Sequence, residues 1–177
     1  VAPKVYLDIE TDWNRVPTII GVQVEQEPIQ QLIGTQITQA ALVALLPVRC
    51  ELFTYNGHSF DLTVIRESLG LNLRQAHDSI DLRWVCQRNG IKGGQKLIEQ
   101  FIGVRRALPD LDGYEALKLW DRYQGGCQRS LQTLLKYNAE DVKGLAAIRE
   151  YLLAQGISLM PAANLKRRNS SQSPNSL

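Results

Sequence analysis

The sequence predicts an α/β sandwich: a mixed sheet of five strands, opening as an antiparallel three-strand meander, continuing with parallel strands, and flanked by helices. Short β-branched or alternating segments crowd the first third of the chain, whereas the pattern from residue 60 onward is almost wholly helical. Between them lies a strand–helix–strand unit, which implies a right-handed crossover and a parallel strand pair.

The meander is read at residues 4–9, 18–26 and 29–34, where alternating or β-branched runs are separated by brief turns. Residues 38–46 are apolar at helical spacing, with Thr38 at the start and Pro47 as a stop, and residues 51–55 form the fourth strand. Helices are expected over 61–69, 80–88, 95–102, 114–124 and 128–155, with Gly70, Asn89-Gly90, Gly103 and Gly125-Gly126 at their ends. A short fifth strand is placed near residues 75–78, and Asp78-Ser79-Ile80-Asp81 reads as a capping arrangement for the helix after it.

The chain has 177 residues and 44% hydrophobic content, enough for one domain with its own core. That domain is assigned to residues 1–157, and the small, polar, aperiodic residues 158–177 are expected to be a disordered tail or linker. Cys50, Cys86 and Cys127 are odd in number and lack paired spacing, so they read as reduced, small hydrophobic residues. With no leader pattern and no apolar run of membrane-spanning length, the expected setting is the cytoplasm, with no membrane partner. The first strand begins almost at residue 1, which leaves open a longer parent protein with a fused or partnering helicase-like or binding domain.

Twenty basic residues face eighteen acidic ones, but Lys166, Arg167 and Arg168 lie in the tail, so the body is near neutral. That balance gives no general polyanion attraction, although bound cations would change it locally. Lys92, Lys96, Arg105 and Arg106 form a sparse basic set, suited either to backbone phosphates or to a solvated helix face. No aromatic stacking platform is evident along the chain.

Three acidic motifs stand out. In Val5-Tyr6-Leu7-Asp8-Ile9-Glu10-Thr11, strand alternation projects Asp8 and Glu10 from one face, with apolar residues on the other. In Tyr55-Asn56-Gly57-His58-Ser59-Phe60-Asp61, Asp61 falls at a helix start, where an isolated Asp would also serve as a cap. In Tyr137-Asn138-Ala139-Glu140-Asp141, Tyr137 and Asp141 share a helix face. His58 reads as an exposed turn residue without a catalytic role. Four carboxylates of this kind are hard oxygen ligands that repel one another until a cation joins them.

Together the motifs resemble those of DEDD-superfamily 3′–5′ exonucleases, with Tyr137 marking the tyrosine (DEDDy) subclass, and more narrowly the YprB-type predicted exonucleases. The resemblance runs from about Val5 to Ala154 and includes His77-Asp78-Ser79-Ile80-Asp81-Leu82, Lys96-Leu97-Ile98-Glu99-Gln100-Phe101-Ile102-Gly103-Val104-Arg105 and Gly113-Tyr114-Glu115-Ala116. It implies a ribonuclease H-like fold, two divalent cations (Mg²⁺ or Mn²⁺), and release of nucleoside 5′-monophosphates from the 3′ ends of single-stranded DNA or RNA. Asp8 would then bridge both metals, Glu10 and Asp141 complete the tighter site, and Asp61 hold the second metal largely through water. Tyr137 would orient the attacking water, Thr11 offer its backbone to the terminal nucleotide, and Asn56 contact substrate or hold the motif turn. A metal phosphohydrolase on small phosphate compounds, or a catalytically silent nucleic-acid-binding module, are the competing readings. The first lacks a Gly-rich phosphate cradle, and the second leaves the intact acids unexplained.

Overall fold

Alternation along the first strand divides the molecule into two packed layers. The computed structural model describes residues 2–160. The elements are β1 (Lys4–Thr11), β2 (Pro17–Val24), β3 (Gln30–Ile33), α1 (Gln39–Leu45), β4 (Glu51–Thr54), α2 (Asp61–Leu69), α3 (Leu73–Ala76), β5 (Asp78–Asp81), α4 (Leu82–Arg88), α5 (Gln95–Phe101), α6 (Gly113–Gln124) and α7 (Gln128–Ala154). The five strands form one sheet in the order β3-β2-β1-β4-β5. β1–β2 and β2–β3 are antiparallel, and β1–β4 and β4–β5 parallel. This is the mixed sheet that the sequence predicts.

On one face Val5, Leu7 and Ile9 of β1 pack with Ile20, Val22, Leu42, Leu62 and Ile65, so α1 and α2 cover that side. On the other face Tyr6 and Phe53 pack with Ile98, Val142, Leu145 and Ile148 of α5 and α7. A third cluster joins Ile19 of β2 to Leu119 and Trp120 of α6 and Leu134 and Tyr137 of α7. Period-two alternation therefore puts Tyr6, Asp8 and Glu10 in one row beneath the longest helix. Burying these apolar side chains is the main favourable term holding α7 on the sheet.

Local chemistry sets the ends of several helices. The Thr38 hydroxyl accepts from the Ala41 N–H at 3.1 Å, and an Asp112 carboxylate oxygen accepts from the Glu115 N–H at 2.9 Å. Gly70, at φ 70°, closes α2 in a left-handed conformation that suits glycine.

Three expectations shift. The last strand lies at Asp78–Asp81, not near 75–78, where a short helical turn, α3, occurs instead. The following helix accordingly starts at Leu82, after Asp81, whose side chain accepts from the Arg83 N–H at 3.1 Å. Two aspartates in four residues disfavour a strand by propensity, but the parallel ladder to β4 and burial of Ile80 override that preference. Cys127, unlike buried Cys50 and Cys86, is exposed; all three are free thiols.

Residues 158–160 pack back on the domain: the carbonyls of Ser158, Leu159 and Met160 all accept from the Arg88 guanidinium. The remainder of the expected tail, with its basic triplet, lies outside the described residues. Among the described residues, no helix is long and apolar enough to cross a membrane.

Candidate active site

β1 outruns its parallel partner: its ladder with β4 covers Lys4 to Tyr6, while β1 itself continues to Thr11. The backbone beyond that point needs other partners on its open side. Asp61 supplies one, its Oδ1 accepting from the Ile9 N–H at 3.1 Å. Thus Asp61 does not act as a side-chain cap on α2; it reaches across to β1.

The turn that delivers Asp61 is clamped from β5. Asp81 accepts from the backbone N–H groups of Asn56 (2.8 Å) and His58 (3.1 Å) as well as from Arg83. Asn56 sits at φ 64°, a left-handed conformation that Asn tolerates better than most residues, and its side-chain oxygen accepts from Arg83 at 2.7 Å. Asn56 therefore holds the motif turn and does not line the acidic cleft. His58 departs from the exposed turn residue expected of it: it is half-buried, with Nε2 2.8 Å from the Ser79 hydroxyl oxygen.

On β1, Asp8 is held by a residue that the motif reading left without a role. The Asn138 amide donates to Asp8 Oδ2 at 2.9 Å and to the Asp8 carbonyl at 3.2 Å, while Asn138 Oδ1 accepts from Gln31 at 2.8 Å. Asn138 is fully buried, and the room for it comes from Gly21, which pairs with Asp8 across the β1–β2 ladder. A Cβ on Gly21 would lie 2.3 Å from Asn138 Oδ1 and 2.9 Å from a Val142 methyl. Gly21→Ala is expected to destabilise the fold by about 1–3 kcal/mol, through overpacking that pushes Asn138 off Asp8. Denaturant unfolding checks this, and an unchanged midpoint would show that Asn138 is not wedged as described.

α7 completes the group. Ligand oxygens of Asp8, Glu10 and Asp141 all lie within 4.8 Å of one another. The cleft above them, about 440 Å³, is lined by these three residues together with Thr11, Trp13, Arg15, Phe60 and Tyr137. Tyr137 rests in the α6–α7 cluster with its ring 4.9 Å from the Lys96 ammonium.

The electrostatics are those of crowded acids. Burial and the charges of Asp141, Asp61 and Glu10 raise Asp8 well above the usual carboxylate range, against the lowering effect of the Asn138 amide. Burial, Asp141 and Asp61 do the same to Glu10. Asp61 is pushed up to about 7 by burial, even though it accepts backbone N–H bonds. Burial and the three neighbouring carboxylates raise the Tyr137 phenol, which favours its protonated, hydrogen-bond-donating form in the metal-free site.

One cation already reaches the cluster. The Arg106 guanidinium donates to both Asp141 and Glu99, and all three side chains are shielded from water. The Gln95 amide donates to Glu99 and to the Asp141 carbonyl at 2.8 and 2.7 Å. Glu99 occupies space left by Gly144 in the middle of α7, where a Cβ would lie 1.8 Å from Glu99 Oε1. Arg106 is thus part of the site's supporting layer and not of a solvated face.

The donor set fits a hard divalent cation: three converging carboxylates, a fourth close by, and mutual repulsion that Arg106 and Lys96 relieve at Glu10 and Asp141 without bringing either acid down to its ordinary range. A family model described as RNase_H superfamily matches residues 5–153. Among curated proteins, none matches the chain. The solved structure of the family B DNA polymerase from the hyperthermophilic archaeon Pyrobaculum calidifontis is similar in fold, with a TM-score of 0.67 at 16% sequence identity. That likeness covers 86% of this chain and 25% of the polymerase, so the chain spans about a quarter of that protein's length. With the mixed sheet, the acids on its central strand and the family match extending over nearly all the described elements, the chain belongs to the RNase_H superfamily.

Proposed function

We propose that this protein is a metal-dependent 3′–5′ exonuclease of the DEDDy kind, similar to the YprB-type enzymes, which hydrolyses phosphodiester bonds at single-stranded ends of DNA or RNA. The observation that carries the reading is the convergence of Asp8, Glu10 and Asp141 on one cleft with Tyr137 beside them and Asp61 behind. Asp8, Glu10, Asp61 and Asp141 are the residues that would hold two divalent cations, Mg²⁺ or Mn²⁺. When bound, these would supply positive charge against the scissile phosphate and activate water.

The chain's own groups then have separable tasks. Asn138 and Gln31 fix Asp8, the Ile9 N–H fixes Asp61, and Arg106 and Gln95 fix Asp141, so three of the four acids are held before substrate arrives. Tyr137, whose phenol is raised by burial and by the acids around it, would donate a hydrogen bond that orients the attacking water or a phosphate oxygen. Thr11 lines the same cleft and offers its backbone to the terminal nucleotide.

Incubation of end-labelled single-stranded DNA and RNA with Mg²⁺, Mn²⁺ or chelator tests the reading. A metal-dependent ladder shortening from the 3′ end, with nucleoside 5′-monophosphates released, is the expected result, and the faster polymer names the preferred sugar. Tyr137→Phe should slow that ladder by about 10- to 100-fold, as loss of an orienting partner does, while Mn²⁺ still raises the melting temperature. No cleavage of either polymer by metal-loaded protein would overturn the exonuclease; hydrolysis of small phosphate esters alone would assign the same acids to a phosphohydrolase.

A further inference from the structure

Two large aromatic side chains at the rim of the acidic cleft have no part in the hydrolytic scheme. Trp13 lines the cleft and is 51% exposed; Tyr114, next to the cleft residue Gly113, is 58% exposed. They come from the β1–β2 turn and the first turn of α6, far apart in sequence, and meet edge to face with ring centroids 5.7 Å apart at 80°.

Trp13 is held at both ends. In the turn, an Asp12 carboxylate oxygen accepts from the N–H groups of Asn14 and Val16, each at 2.9 Å. At the ring, the indole N–H donates to Asp121 of α6 at 2.6 Å. Aromatic residues ordinarily contribute to folding by leaving water; here the turn and a carboxylate fix an indole that stays half in solvent.

Cations lie over Tyr114 and over two further rings of the same cleft, Phe60 and Tyr137. Arg15, also in the turn and at φ 61°, lines the cleft with its guanidinium 5.4 Å from the Phe60 ring centroid. The Lys118 ammonium lies 4.3 Å from the Tyr114 ring centroid, and Lys96 sits over Tyr137. Fixed aromatic faces interleaved with positive charge, continuous with a phosphodiesterase-type acid cluster, match a flexible polyanion with exposed bases. A duplex keeps its bases stacked on one another, and a small phosphate ester need not extend from the acids to the rim.

We propose that Trp13, braced by Tyr114 and Asp121, is a stacking shelf for an unpaired base of a single-stranded nucleic acid whose terminal phosphodiester lies at Asp8, Glu10 and Asp141, with Arg15 facing the strand's phosphates. This rests on the exonuclease reading and adds how the strand is gripped. The shelf selects single strands by base stacking without reading their sequence.

Binding of a fluorescent oligothymidylate to the full chain, in the Asp8→Asn background so that the probe is not cut, tests the shelf. Bound probe is expected to quench indole fluorescence, with most of the quench lost in Trp13→Phe and kept in Trp84→Phe. Trp13→Ala should weaken the Kd about 5- to 100-fold, in the range of one lost base stack, with an unchanged slope of log Kd against log salt because no phosphate contact is removed. Replacing single nucleotides by abasic ones should reveal a position whose loss matches that of Trp13→Ala and is not additive with it. Full additivity at every position, or a quench untouched by Trp13→Phe, would overturn the shelf and leave Trp13 a packing residue, while wild-type cleavage would keep the exonuclease standing. If the wild type neither binds nor cuts any single strand, both readings fall.

Discussion

Asp8→Asn is expected to cut hydrolysis by at least about 10³-fold, more than the 10- to 100-fold typical of losing an outer-layer partner, and yet to raise the melting temperature of the metal-free protein at neutral pH. Asp8 shares a site with Glu10 and Asp141, all within 4.8 Å, and its carboxyl is raised by burial and by the charges of Asp141, Asp61 and Glu10. An amide of the same shape still accepts from Asn138 but removes one repelling charge. At about 2–4 °C per kcal/mol for a chain of this size, the gain is readily measured.

The pH dependence has a definite sign. A carboxyl whose folded pKa is raised binds more protons folded than unfolded between its unfolded value, near 4, and its folded value. Stability of the metal-free wild type therefore falls as pH rises through that window, which for Asp61 ends at about 7. Divalent cation is expected to reverse the order of the two proteins, stabilising the wild type by about 2.7 kcal/mol at a hundredfold excess over Kd and the variant far less. Melting curves at pH 5 and 8, with and without Mn²⁺, check all of this. A variant that melts below the wild type without metal, or gains as much from Mn²⁺, would remove Asp8 from the proposed metal site.

What the sequence reveals of this site follows from how each residue is encoded. Strand alternation puts Asp8 and Glu10 on one face, and helical spacing puts Tyr137 and Asp141 on another; both are local rules, and both elements occur in the structure. The supporting residues obey no local rule. Asn138 matters because Gly21, more than a hundred residues earlier, leaves it space. Arg106 follows α5 in a stretch that reads as a basic set for backbone phosphates or a solvated helix face, and only the packing of that stretch against α7 turns it toward Glu99 and Asp141. Trp13 and Tyr114 form a pair only once β1 and α6 meet, so no aromatic run marks them. The β5 misplacement has the opposite origin: Asp78 and Asp81 carry a strong capping signal, and Asp81 does cap α4, but the same residues also extend the sheet.

The Arg106 triad carries the other large effect. Arg106→Met is expected to destabilise the protein by about 3–5 kcal/mol at pH 7, the usual loss when one partner of a buried ion pair is removed. Glu99 is 1% exposed and would keep only the Gln95 amide, and Asp141 would lose the cation that holds its carboxyl down against burial. Asp141 would then be stabilised by protonation, so part of the deficit should disappear as pH falls toward 5. Glu99→Gln combined with Arg106→Met should recover much of the loss, because it removes the stranded charge and leaves an amide beside Gln95. Mn²⁺ provides a second check, since a cation at Asp141 can replace the guanidinium there but not at Glu99: it should rescue the single variant in part and the double variant more fully. Equal denaturation midpoints for wild type and Arg106→Met would show that the triad is open to water in solution, and the ordering of Asp141 would then rest on α7 packing and the Gln95 contact alone.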